Sequence, residues 1–121
     1  MTEVIRNNKS FKATSSLASN QYCFVKLDSS GQIVISTDGA NAIGVLQDKP
    51  GAGEPGSVCG VSDQTKVQCG GSFSAGDLVS SDSSGKAISA GTGDYIMGQA
   101  LTAGSSTTLA TILFQPRGSV R

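Results

Sequence analysis

The sequence predicts an all-β domain, a compact small β-barrel or β-sandwich built from two related halves and preceded by an extended N-terminal arm. Three observations carry that prediction. Short apolar runs recur at intervals of about 8–12 residues, with Gly, Asp and Ser between them. No window spaces its apolar residues as one face of a helix would. Finally, one stretch is written twice. Residues 27–31 return as 81–85 and residues 42–46 as 96–100, so that Asp28/Asp82, Gly31/Gly85 and Gly44/Gly98 each stand 54 residues apart. A glycine-bearing turn and an apolar strand follow in each copy, at 58–61 and 109–113, which makes that last connection about three residues shorter in the second copy. Two copies are too few for an open repeat array, where about three units are needed to stack a core. The repeat is therefore expected to close on itself as one domain, over roughly 22–62 and 76–114.

Taken in order, residues 1–10 are polar and unpatterned and read as an arm, drawn to residue 12, with Phe11 to Ala13 starting a short strand. Residues 22–27 hold Tyr, Cys, Phe and Val and form a strand. Asp28-Ser29-Ser30-Gly31 supplies a hairpin turn, with aspartate capping its start and glycine taking the left-handed position. Residues 32–36 return, residues 37–39 turn, and 42–47 form the next strand. Two prolines and three glycines make 49–56 a loop. Residues 57–62 form a strand, Asp63-Gln64 a tight turn, and 65–69 a strand with one wet face. The second half repeats the plan with strands at 76–80, 86–89, 95–101 and 107–114. Gly44 and Gly98, mid-strand in both copies, mark bulges or a close backbone approach. Residues 13–116 make the domain and 117–121 a basic tail.

Composition limits the core. Across 121 residues the apolar fraction is 37%, with four Phe, two Tyr and no Trp, so the interior must be thin and aliphatic. A small domain of this kind is marginal alone and suited to self-assembly or docking. The net charge is zero but uneven: residues 1–12 and the last six residues each carry +2, and the body −4. Basic ends on an acidic body suit contact with another protein or a neighbouring copy. Without interleaved aromatics they make no nucleic-acid platform. No apolar leader or membrane-length run is present, which points to synthesis in a cytoplasm.

Catalytic parts are missing. There is no histidine, hence no usual general base and none of the commonest metal ligand. Asp28, Asp38, Asp48, Asp63, Asp77 and Asp82 fall at turns or strand ends, where aspartate bonds local backbone. Cys23, Cys59 and Cys69 fit no zinc spacing and read as small buried hydrophobes, with a Cys59–Cys69 disulfide as the lesser reading. Gly91-Thr92-Gly93 is too short for a phosphate loop. The chain is read as a non-enzyme without cofactor or metal.

The run Ala42-Ile43-Gly44-Val45-Leu46-Gln47-Asp48-Lys49-Pro50-Gly51-Ala52-Gly53-Glu54-Pro55 resembles the capsid cement, or decoration, proteins of tailed bacteriophages. So do Thr65-Lys66-Val67, Ser74-Ala75-Gly76-Asp77-Leu78-Val79, Asp82-Ser83-Ser84-Gly85-Lys86-Ala87 and the ending Leu113-Phe114-Gln115-Pro116, in that order over about 22–116. The resemblance implies a structural virion protein on the outer surface of the icosahedral head. Its partners would be the major capsid protein and itself, as a homotrimer at three-fold or quasi-three-fold positions. Under it, Arg6, Lys9, Phe11 and Lys12 become candidate capsid or inter-subunit contacts, followed by Phe114, Arg117 and Arg121. For Phe11 and Phe114 ordinary core packing is the competing expectation. A second reading is a β-rich tail or fibre-base adhesin that binds a host surface ligand. The 49–56 loop offers such a module only Lys49 and Glu54.

Overall fold

The computed structural model describes residues 8–61 and 63–119, and every regular element among them is a β-strand. In the first half these are β1 (Asn8–Lys12), β2 (Phe24–Leu27), β3 (Ile33–Ile35), β4 (Gly44–Leu46) and β5 (Pro55–Cys59). The second half supplies β6 (Asp63–Gln68), β7 (Leu78–Ser81), β8 (Ala87–Ser89), β9 (Gly98–Ala100) and β10 (Leu109–Phe114). Each half is one five-stranded antiparallel sheet. The orders are β1-β5-β4-β2-β3 and β6-β10-β9-β7-β8, the same arrangement strand for strand. The two sheets stack as a sandwich-like fold and do not close into a barrel. Their outer edges are either three residues long (β3, β8) or carry lysine (β1, β6), which discourages open-ended pairing.

Register shows how far the duplication reaches. Val25 stands opposite Gly44 and Val79 opposite Gly98; Val45 stands opposite Cys59 and Gln99 opposite Leu113. The spacing of 54 therefore runs through the last strand, and the shortening expected in the final connection is not there. The repeat also begins earlier than expected. Ala13 bridges Ile33 in parallel as Cys69 bridges Ala87, so β1 is the counterpart of β6 at a spacing of 56. Residues 8–12, assigned to the arm from their polarity, are an edge strand paired along its whole length with β5. Polarity misled because an edge strand with one wet face needs few apolar residues. Two turn assignments shift for related reasons. Pro55 opens β5, a position where a missing N–H is tolerated, and Asp63 already belongs to β6.

The Asp-Ser-Ser-Gly turns are built alike. Asp28 Oδ1 accepts from the N–H groups of Ser30 (2.8 Å) and Gln32 (3.0 Å), and Asp82 Oδ1 from those of Ser84 (2.8 Å) and Lys86 (2.9 Å). Gly44 and Gly98, expected mid-strand, are the first residues of β4 and β9 and mark close backbone approaches: a Cβ there would meet the carbonyl oxygens of Cys59 and Leu113.

Each sheet has a front face with its own small core. In the first half it is Ala13, Leu17, Val25, Ile33, Leu46 and Val58. The counterparts in the second half are Cys69, Phe73, Val79, Ala87, Ala100 and Ile112. The halves stack front to back. Phe24 and Val45, on the back of the first sheet, complete the second half's core against Val67, Met97, Ile112 and Phe114. The Phe24 and Phe114 ring centroids are 6.3 Å apart, within the range of a favourable aromatic pair. Hydrogen bonds stitch the seam: Phe24 N donates to Gly85 O (2.6 Å), Gly39 N to Ser81 O (2.8 Å) and Gln47 Nε2 to Thr65 Oγ1 (2.8 Å).

Candidate functional site

β1 gathers three of the residues singled out in the sequence. Its backbone lies against β5, Lys9 opposite Val58, Phe11 opposite Gly56 and Lys12 opposite Pro55. Alternation along a strand turns Lys9 and Phe11 to the front face and Lys12 to the back. Both lysines are exposed, and Phe11 is half-buried against the first half's core. Beside Phe11 the front face opens into a cavity of about 240 Å³, lined by Lys9, Phe11, Ile43, Val58, Gly60 and Val61. The site is thus an apolar hollow flanked by the cation of Lys9.

The remaining candidates scatter. Phe114 is fully buried in the core, so it packs the interior and presents nothing to a partner surface. Arg117 is exposed beyond β10, where its Nη2 donates to Gln115 Oε1 (3.0 Å), on an element separate from β1. Arg6 and Arg121 lie outside the described residues.

A second hollow, about 390 Å³, runs along the seam between halves and is lined by Tyr22, Lys49, Gln68, Lys86 and Thr107 among others. It brings together amines, an amide and hydroxyls but no acid–base pair. The three cysteines are buried thiols, none in a disulfide, and burial pushes the Cys23 and Cys69 thiols up, away from the reactive thiolate. Among the described residues no three His, Cys, Asp or Glu side chains group to hold a metal.

A family model described as phage cement protein matches residues 7–115. The chain belongs to the phage cement protein family. No curated protein matches it. Among solved structures, "The crystal structure of head fiber gp8.5 N base in bacteriophage phi29" superposes with a TM-score of 0.76 at 15% identity, covering 97% of this chain and 99% of that one. At that identity the likeness is one of fold.

For a cement protein the informative residues are those on the surface, and here sequence reasoning missed several. Ile43, Gly60 and Val61 fall within the strands expected at 42–47 and 57–62, with nothing to mark them as surface, yet they line an open hollow. Leu101 and Leu109 were likewise placed in strands, and they are 42% and 50% exposed. Alternation tells which residues share a face; it does not tell whether that face is covered.

Proposed function

We propose that this cement protein binds the outer surface of an assembled phage head, straddles boundaries between major capsid proteins and thereby holds the shell together, acting as a homotrimer. The family match over residues 7–115 carries the reading. The fold is in keeping with it, being shared with the base of a phage head fibre. The mechanism is linkage: a protein that binds the assembled lattice and not its separated subunits stabilises the lattice in proportion to the logarithm of its concentration over its Kd. A trimer touching several capsomers gains further, because dissociation must break its contacts together.

Lys9 and Lys12 on the edge strand are the described residues best placed to meet a capsid surface, with Arg6 preceding them in the sequence. Truncation to residue 12 would remove β1 itself, so charge reversal is the sound test. Lys9→Glu with Lys12→Glu should leave the fold and its melting temperature nearly unchanged, since both side chains are exposed. The amount of variant co-sedimenting with purified empty heads should fall, most clearly at low salt. Undiminished, saturable co-sedimentation would remove β1 from the capsid contact. Absence of co-sedimentation by the native protein would overturn the reading as a whole.

A further inference from the structure

Internal duplication makes the two halves a direct control on each other, and they differ in what covers them. In the second half the front-face mouth is framed by Thr65, Val67, Met97, Ile112 and Phe114, and Phe24 and Val45 of the first half fill it. The counterparts of those framing residues in the first half are Lys9, Phe11, Ile43, Val58 and Gly60. Together with Val61 they line the open cavity of about 240 Å³. Among the described residues, the same mouth is therefore plugged in one half and open in the other.

The plug has a counterpart as well. Phe24, Val45 and Gln47, which make the seam from the back of the first sheet, correspond to Leu78, Gln99 and Leu101 on the back of the second. Leu101 is 42% exposed and Leu78 partly so, although Gln47 at the equivalent place lies in the seam, bonded to Thr65. Hence one end of the molecule offers an apolar mouth that no described residue fills, and the other a face on which Leu78 and Leu101 stand beside Gln99, where the seam has Phe24, Gln47 and Val45.

We propose that the Phe11–Ile43 mouth docks a second copy of this chain, which inserts the Leu78–Leu101 face of its second half as Phe24 and Val45 insert within one chain. The occupant follows from the page: the protein already contains one instance of this contact, between two sheets of the same strand order. A mouth on one half and a plug on the other form a head-to-tail contact, which closes into a ring when the rotation permits. This inference supplies the contact for the homotrimer proposed above and rests on that reading.

The test uses full-length chain and two variants, Ile43→Asp in the mouth and Leu101→Asp on the plug. Circular dichroism and melting confirm folding. Should Ile43→Asp fail to fold, Leu101→Asp at its exposed site still decides. By native mass spectrometry and sedimentation, the wild type should assemble, and each variant alone should shift the monomer–assembly midpoint upward about tenfold or more. Mixed, the two should form a 1:1 heterodimer, because one intact mouth and one intact plug remain. Unchanged assembly of both variants would overturn this contact while leaving a trimer through another surface standing. A wild type monomeric at every concentration would overturn the trimer too. If deletion of residues 1–7 were needed to release assembly, the mouth's occupant would be the chain's own beginning. If Ile43→Asp abolished co-sedimentation with heads while still assembling like the wild type, the occupant would be capsid protein; either outcome overturns the proposal.

Discussion

Tyr22 and Thr107 adopt φ of 67° and 71°, a left-handed conformation that side chains with a Cβ, and β-branched ones above all, avoid. Each has a glycine as its counterpart in the other half, Gly76 (φ 91°) and Gly53 (φ 77°), so the duplication preserves a backbone conformation even where one copy has lost the residue suited to it. Thr107 is exposed, and Thr107→Gly should raise stability by about 1 kcal/mol in chemical denaturation, relief of strain outweighing the added chain entropy. Tyr22 packs against the core, and there the same change would sacrifice contact. Asp28 gives a second residue-scale expectation. Thr14 Oγ1 donates to its Oδ2 (2.6 Å), and with the Gln32 and Ser30 N–H groups this holds the carboxyl below the ordinary carboxylate range. A depressed pKa stabilises the fold above the unfolded value, and that stabilisation is lost as pH falls through the folded one. In Thr14→Ala the Asp28 carboxyl should titrate at higher pH by NMR; an unmoved titration would contradict the assigned cause.

At the scale of elements, the close pairing of β4 with β5 and of β9 with β10 depends on Gly44 and Gly98. An added Cβ meets a neighbouring carbonyl oxygen, which belongs to the backbone and cannot turn aside. Gly44→Ala and Gly98→Ala should each cost about 2 kcal/mol or more in denaturant unfolding. Gly71→Ala, whose Cβ would touch only Ile88 at 3.4 Å, serves as the mild control. The sequence shows these glycines plainly, because the repeat spaces them from the aspartate turns. It also shows the β class and the place of nearly every strand, since turn residues punctuate short apolar runs. β1 was obscured: its counterpart β6 carries little resemblance to it, and the spacing changes from 54 to 56 between that pair and the rest. The candidate site was legible only in part. Lys9, Phe11 and Lys12 stood out by charge and apolarity, whereas the mouth beside them depends on which half covers which, and that asymmetry is absent from the repeat pattern.

Considered whole, the molecule is one supersecondary unit used twice and stacked front to back. Stacking gives the second half an extended core through Phe24 and leaves the first half with the smaller one. A thin interior of this kind fits a protein whose stability and task are both completed by neighbours. The central claim, that it reinforces a phage head from outside, is tested most directly by the temperature at which heads rupture. Purified heads lacking the protein would be heated alone and with it added at saturation, with disruption followed by calorimetry. Heads carrying the protein should rupture at a higher temperature, which climbs with occupancy and then levels off. An unchanged rupture temperature on heads shown to be saturated would contradict it.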